Sequence, residues 1–351
     1  MPRLVQALPA GPLAIVGDVH GEIDALDALL GRIGIGEYRS DRGIVFVGDL
    51  VDRGPDSVAV VQRVQRLVER GIALVVAGNH ELNLLQSDVK EGNGWFFSDD
   101  EDVAHLEDGR KIPLRSRRAK PEERRDIVAF LRTLPLVLAR DDLRVVHACD
   151  DASSLASLPE YGEIAELSSH FGGRIAAELE GGGVSARAAA DRRCFAHLKD
   201  SVIKPDRHLS DVAREDAAHQ NDNPVKVLTS GREREVPEGK HFFTGGKWRF
   251  VARDPWWLNR VPRPATVVGH YWRRRNATMP GKKDVWDDID PFAWYNEVFC
   301  VDYCVGRRFA ERAEGRLRDF DAALGAMLWP ERELLWDERA ERTSTVATFG
   351  G

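Results

Sequence analysis

Three short apolar runs, Leu13–Val16, Ile44–Val47 and Ile72–Ala77, each end in a glycine followed at once by a polar cluster. The clusters read Gly17-Asp18-Val19-His20-Gly21, Gly48-Asp49-Leu50-Val51-Asp52-Arg53-Gly54 and Gly78-Asn79-His80-Glu81. Asp49 follows Asp18 by 31 positions and Asn79 follows Asp49 by 30, the length of one strand–helix–strand unit. If the runs are parallel strands, all three clusters emerge at one carboxyl edge, where open α/β sheets place ligands.

The intervening segments support that reading. Glu22 to Ile33 carries Ile23, Leu26, Leu29, Leu30 and Ile33 at helical spacing, closed by Gly34 and Gly36. From Asp56 to Arg70 the stripe is Val60, Val61, Val64, Leu67 and Val68, with Gly71 as the stop. Pro121 opens a helix bearing Ile127, Phe130, Leu131 and Leu134. Leu143–Val146 reads as a fourth strand, ending in His147. Ala265–Val268 and Glu297–Val301 read as strands ending in Gly269-His270 and Asp302. Leu324–Trp329 and Glu333–Trp336 flank Pro330-Glu331 as a hairpin. Residues 1–12 read as an unpatterned lead-in, 91–118 as a loop excursion, and Val225–Leu228 as extended chain. The organisation expected is a core half over residues 1–150, an insertion or cap over 151–263, and the rest of the core with the terminal hairpin over 264–351.

The strand-end residues decide the chemistry. Asp18, His20, Asp49, Asn79, His147 and His270 offer carboxylate, amide and imidazole donors, a mixture suited to Mn²⁺, Fe, Zn²⁺ or Co²⁺. They are too many for one three-ligand ion and enough for two ions sharing a carboxylate. Two ions ~3.5–4 Å apart can ionise a bridging water and clamp a phosphoryl group for in-line displacement. Arg53 can hold phosphate oxygens with its planar fork. His80, beside Asn79, can serve as general acid, with Asp52 orienting its ring.

These clusters resemble the GDxHG, GDxxDRG and GNHE signature of the phosphoprotein-phosphatase branch of calcineurin-like metallophosphoesterases. Bacterial diadenosine tetraphosphatases and bacterial serine/threonine phosphatases share it. The likeness continues at Val145-Val146-His147-Ala148, Val268-Gly269-His270 and Phe299-Cys300-Val301-Asp302. It implies an α/β fold in which two sheets form a sandwich flanked by helices, with a dinuclear metal centre. Carried over by position, Asp18, His20 and Asp49 would hold one ion; Asp49, Asn79, His147 and His270 would hold the other. Arg53, Asn79 and His80 would meet the phosphate. A second phosphate-binding arginine has no motif position; Arg193, Arg232 and Arg273–Arg275 are the candidates.

The partner implied is a phosphorylated substrate, either a protein or a small molecule such as a nucleotide. A phosphoprotein or a small phosphomonoester is the first expectation and a bis(5'-nucleosyl) tetraphosphate the second; an inactive binding or regulatory module is the competing class. Net charge −7 argues against generic nucleic-acid binding, and no run is long enough for a membrane span. The first residues lack a secretory pattern, so a cytoplasmic location is expected, with Cys149, Cys194, Cys300 and Cys304 as free buried thiols. Six of the nine tryptophans lie between Trp248 and Trp294; core packing is the more economical account of them than base stacking. His105, His170, His197, His208, His219 and His241 lack a comparable setting. Arg115–Arg125 reads as a solvated helix entrance and Asp99–Asp102 as a loop.

Overall fold

The computed structural model describes residues 1–34, 41–98, 100–105, 109–195, 203–244, 247–260, 264–275 and 290–348. Gly36, Asp99, His197 and Trp286 lie outside the described residues.

Alternation along the strands dictates two packed sheets. In Leu13–Val16 all four side chains are buried, because Leu13 and Ile15 face one apolar layer while Ala14 and Val16 face another. Val45 joins the first layer and Ile44 and Phe46 the second. The first layer lies between the sheets, since Leu143, Val145, Val267 and Phe299 enter it from the other side. The second is covered by helices through Leu26, Leu29, Val60 and Val64. Burying each such aliphatic side chain contributes roughly 1.5–3 kcal/mol before conformational entropy is subtracted.

One sheet runs Thr343–Ser344, Glu333–Trp336, Ala323–Trp329, Leu13–Val16, Gly43–Phe46, Ala73–Val75. The last three strands are parallel, in register Ile15–Val45 and Val45–Leu74. Asp18, Asp49 and Asn79 therefore leave neighbouring strands at one edge, and the helices Ile23–Ile33 and Ser57–Glu69 make the crossovers. Asp56 caps the second helix by accepting from the Ala59 N–H, and Gly34 ends the first at φ +91°. The terminal hairpin, Ala323–Trp329 with Glu333–Trp336, lies antiparallel on Leu13–Val16.

The other sheet runs Val5–Ala7, Val137–Ala139, Leu143–Val146, Ala265–Val268, Val298–Cys300, Ala293–Tyr295, Val346–Thr348. The lead-in is thus a strand, too short and too exposed on both flanks to show alternation; Leu4 and Leu8 pin its ends. Leu143–Val146 and Ala265–Val268 are parallel neighbours, so the long segment between them leaves and re-enters the same sheet. It holds the helices Ile164–Gly181, Val184–Cys194 and Ser210–Asn221 with two short antiparallel ribbons.

Val225–Leu228 is helical, contrary to its β-branched composition. Asn223 accepts from the Val225 and Lys226 N–H groups and Pro224 occupies the first turn, so the cap outweighs the intrinsic preference. Residues 91–118 also hold structure, a short helix Gly94–Phe97 and a ribbon Val103–His105 with Lys111–Pro113.

Candidate metal centre

The strand ends converge into a buried set of donors. Asp18 and Asp49 are 2% exposed and His20 and His147 1% or less, so their charge interactions are little screened. Asp49 is the hub. Its Oδ2 lies 3.3 Å from His147 Nε2 and 3.8 Å from both His20 Nε2 and His80 Nε2. Its Oδ1 accepts from the His80 N–H at 3.0 Å. Two triads have ligand atoms within 4.8 Å of one another: His20, Asp49 and His80, and Asp49, His147 and His270. Asn79 Oδ1 lies 2.9 Å from His270 Nδ1 and 3.3 Å from His147 Nε2. Asp18 stands beside the first triad, with Oδ2 3.9 Å from His20 Nε2, and accepts the His270 N–H at 3.0 Å.

Second partners fix the imidazoles. His20 Nδ1 donates to Val51 O at 3.0 Å and His147 Nδ1 to Val47 O at 2.7 Å. Carbonyls only accept, so in the neutral rings each Nε2 keeps its lone pair for the shared pocket. Arg53 donates from Nη1 to His20 Nε2 at 2.8 Å and from Nη2 to His80 Nε2 at 3.2 Å. His80 Nδ1 meets Asp52 Oδ2 at 2.5 Å.

The backbone is bent to make this convergence. His20, Asp49, Asp52, Arg53 and His270 all hold φ between +47° and +76°, a left-handed region that costs non-glycine residues about 1–3 kcal/mol each. Glu81 offsets part of this. Its carboxylate accepts from the N–H groups of Asp49, Leu50 and Gly78, each at 2.8 Å, tying the second cluster to the third. A Cβ on Gly78 would stand 2.2 Å from Asp49 Oδ1, so this crossing admits only glycine.

Electrostatics favour a cation in the pocket. Burial, with the Asp302 and Asp49 charges, pushes Asp18 well above the carboxylate range. Burial raises Asp302 to about 6, and its Oδ2 has no partner among the described protein atoms. Burial alone would raise Asp49, but His147, His80 and His20 outweigh it and hold it well down. Against burial, Asp49 raises His147 to about 10. Burial, then Arg53 and Arg253 respectively, depress His20 and His270. Buried, crowded carboxylates beside oriented imidazoles fit divalent ions of the borderline class.

Residues 11–148 match the family model described as calcineurin-like phosphoesterase. Over those residues the chain is similar to calcineurin-like phosphoesterases. An asymmetrical bis(5'-nucleosyl)-tetraphosphatase, PrpE, of Oceanobacillus iheyensis is 46% identical over 72 residues, covering 19% of this chain and 29% of that protein. PrpE of Geobacillus thermodenitrificans is 33% identical over 145 residues, 38% of this chain and 55% of its own. A symmetrical bis(5'-nucleosyl)-tetraphosphatase of a Janthinobacterium species is 33% identical over 133 residues, 38% of this chain and 42% of its own. The chain therefore spans between 29% and 55% of these relatives. A crystal structure of the cold-active protein-tyrosine phosphatase of a psychrophilic Shewanella matches 97% of this chain and 83% of its own, at TM-score 0.45 and 14% identity.

The matched residues include the first three clusters and His147; His270 comes from beyond them, at the end of the neighbouring strand of the second sheet. Of the arginines offered as a second phosphate contact, Arg273 is buried and donates to Cys300 O and Asp290 O. Arg275 donates to Phe320 O and Asp321 O, Arg232 pairs with Asp151, and Arg193 is exposed. Arg253 was not singled out by sequence, yet its charge is felt at His270 and its guanidinium lies 5.6 Å from the Tyr271 ring centre. Glu81 was legible as part of a motif, but its role depends on backbone amides that no residue pattern displays. His105, His208 and His241 have partners elsewhere, Glu91, Glu235 and Pro205 O. Cys149, Cys300 and Cys304 are buried, whereas Cys194 is exposed on its helix, contrary to expectation. Trp256, Trp257 and Trp294 are buried in apolar clusters, as packing requires. Among the described residues no helix is long and apolar enough to cross a membrane.

Proposed function

We propose that this protein is a metal-dependent phosphoesterase. The observation that carries the reading is Asp49, one buried carboxylate shared by two donor triads at the edge where Arg53 and His80 also converge. Asp18, His20 and Asp49 would hold one ion, with His80 close by; Asp49, Asn79, His147 and His270 would hold the other. Mn²⁺ is the preferred occupant. When bound, the ions would supply Lewis-acid chemistry, neutralising phosphoryl charge and activating water.

The chain's own groups supply the rest. Arg53 presents two N–H donors into the pocket and would orient the phosphoryl oxygens. With Arg53 turned from His80 Nε2 to the phosphoryl oxygens, His80 as imidazolium would pass its Nε2 proton to the leaving-group oxygen, while Asp52 on Nδ1 fixes the ring and offsets its charge. Buried neighbours exclude bulk water from these contacts. Three buried free thiols are compatible with a reducing bacterial cytoplasm.

Two substrate readings follow. A phosphoprotein or small phosphomonoester needs only the phosphoryl grip. Hydrolysis of a bis(5'-nucleosyl) tetraphosphate is favoured by the names of the relatives. It is also favoured by a second guanidinium nearby, since Arg53 and Arg307 lie 5.1 and 5.5 Å from the centre of the same Trp272 ring. Turnover of p-nitrophenyl phosphate with Mn²⁺, abolished by chelation, is the expected result. No turnover with any divalent ion would instead favour a binding module. Parallel incubation with a phosphopeptide and with diadenosine tetraphosphate separates the substrate readings.

A further inference from the structure

The His80–Asp52 pair has a third member that belongs to none of the strand-end clusters. Asp52 is fully buried and uses its two oxygens on different partners. Oδ2 meets His80 Nδ1 at 2.5 Å, and Oδ1 accepts the indole N–H of Trp95 at 2.7 Å. We propose that Trp95 is a positioning residue for the leaving-group proton, holding Asp52 so that its other oxygen stays aimed at His80. The proposal rests on the phosphoesterase reading.

A carboxylate with one anchor turns freely about its last torsion; donors on both oxygens leave a single orientation. The need for such an anchor is visible in the backbone, because Asp52 and Arg53 sit at φ +76° and +68°. Residues in that region relax unless their surroundings hold them. Ser57 Oγ takes the Asp52 N–H at 2.9 Å, and Gly92 O takes the Arg53 N–H at 3.2 Å. Gly92 stands three residues before Trp95. One turn therefore steadies the backbone of the phosphate arginine and the side chain of the orienting carboxylate. The turn is itself anchored: Gly94 N–H donates to Asp102 Oδ2, and Trp95 O accepts from Ala119 N–H, both at 3.0 Å. Trp95 is 0% exposed and lies edge-on to Phe96 at 5.3 Å.

The test is a double-mutant cycle read with two leaving groups. Trp95→Phe keeps most of the ring packing and deletes the N–H. With Mn²⁺, kcat for phenyl phosphate, whose phenolate needs a proton, should fall about tenfold, a fraction of what general acid catalysis supplies. For p-nitrophenyl phosphate, whose leaving group needs little help, the fall should be about twofold or less. In an Asp52→Asn background, Trp95→Phe should cost no more than about twofold with either ester. Should Trp95→Phe not fold, Asp102→Ala loosens the same turn and should show the same dependence on leaving group, with a smaller loss. An equal loss for both esters, or an undiminished loss in Asp52→Asn, overturns the role. Absence of turnover by the wild type with either ester removes the phosphoesterase reading, and this role with it.

Discussion

On the outer helices among the described residues of 151–260 the arginines stay in contact with water: Arg187 pairs with Asp211, Arg192 with Glu215 and Asp216, and Arg207 with Asp191, each arginine side chain at least 40% exposed. At the strand ends the charge is sealed in, with Asp18, Asp49, Asp52 and Glu81 all 2% exposed or less. The backbones differ in the same sense. Five of the site residues hold positive φ without being glycine, whereas among the described residues of 151–260 only Gly183, Gly231 and Gly239 do. Cores differ too: the segment's outer helices share small clusters around Val212 and Phe250 and around Ile175 and Leu179, while the site sits between two large layers. Backbone strain and buried carboxylates are concentrated at the strand ends, where the surrounding packing can hold them.

The comparison breaks most visibly at Asp49. Asp49→Asn removes the shared carboxylate and should lower kcat/KM for p-nitrophenyl phosphate by at least about 10³-fold; Asp211→Asn on the outer helix Ser210–Asn221 should stay within about twofold of wild type. Equal losses in the two would erase the distinction. Next comes Asp52→Asn, for which kcat with phenyl phosphate should fall by about 10²-fold with KM little changed, because the proposed acid would act at the transition state. A rise in KM alone would place Asp52 in binding instead.

A third expectation concerns pH. Asp302 has a folded value of about 6 against an ordinary 3.8, raised by burial. Between those values the folded state binds more protons than the unfolded, so this group's stabilisation is complete below about 3.8 and is lost as pH rises through about 6. Thermal melts of chelated protein should show that decline, Mn²⁺ should reduce it, and Asp302→Asn should flatten it. A decline unaffected by Asp302→Asn would assign it to another group. The smallest effect belongs to Arg174→Ala, which removes the exposed pair with Glu178. An exposed pair should cost below about 1 kcal/mol and leave turnover unchanged; a loss of several kcal/mol would make the outer helices as tightly built as the site.

The core was readable because each strand run ends in its own polar cluster, so Asp18, Asp49 and Asn79 announce both a fold edge and a candidate donor set. His147 and His270 were readable as strand-end histidines, though only the pairing of Leu143–Val146 with Ala265–Val268 brings them together. Val225–Leu228 misled because a cap at Asn223 and a proline in the first turn overrode side-chain preference. Trp95 was invisible as a partner because Asp52 lies 43 positions away, and the strand Val5–Ala7 because three residues carry no period. Local chemistry travels well in sequence; pairings across the chain do not.

The proposed chemistry needs two ions meeting at Asp49. Electron paramagnetic resonance of the chelated protein reloaded with Mn²⁺ addresses this directly. Two ions per chain with the exchange-coupled signal of a pair, lost in Asp49→Asn, is the result predicted. A single uncoupled ion in the wild type, or a coupled pair that survives Asp49→Asn, would contradict it.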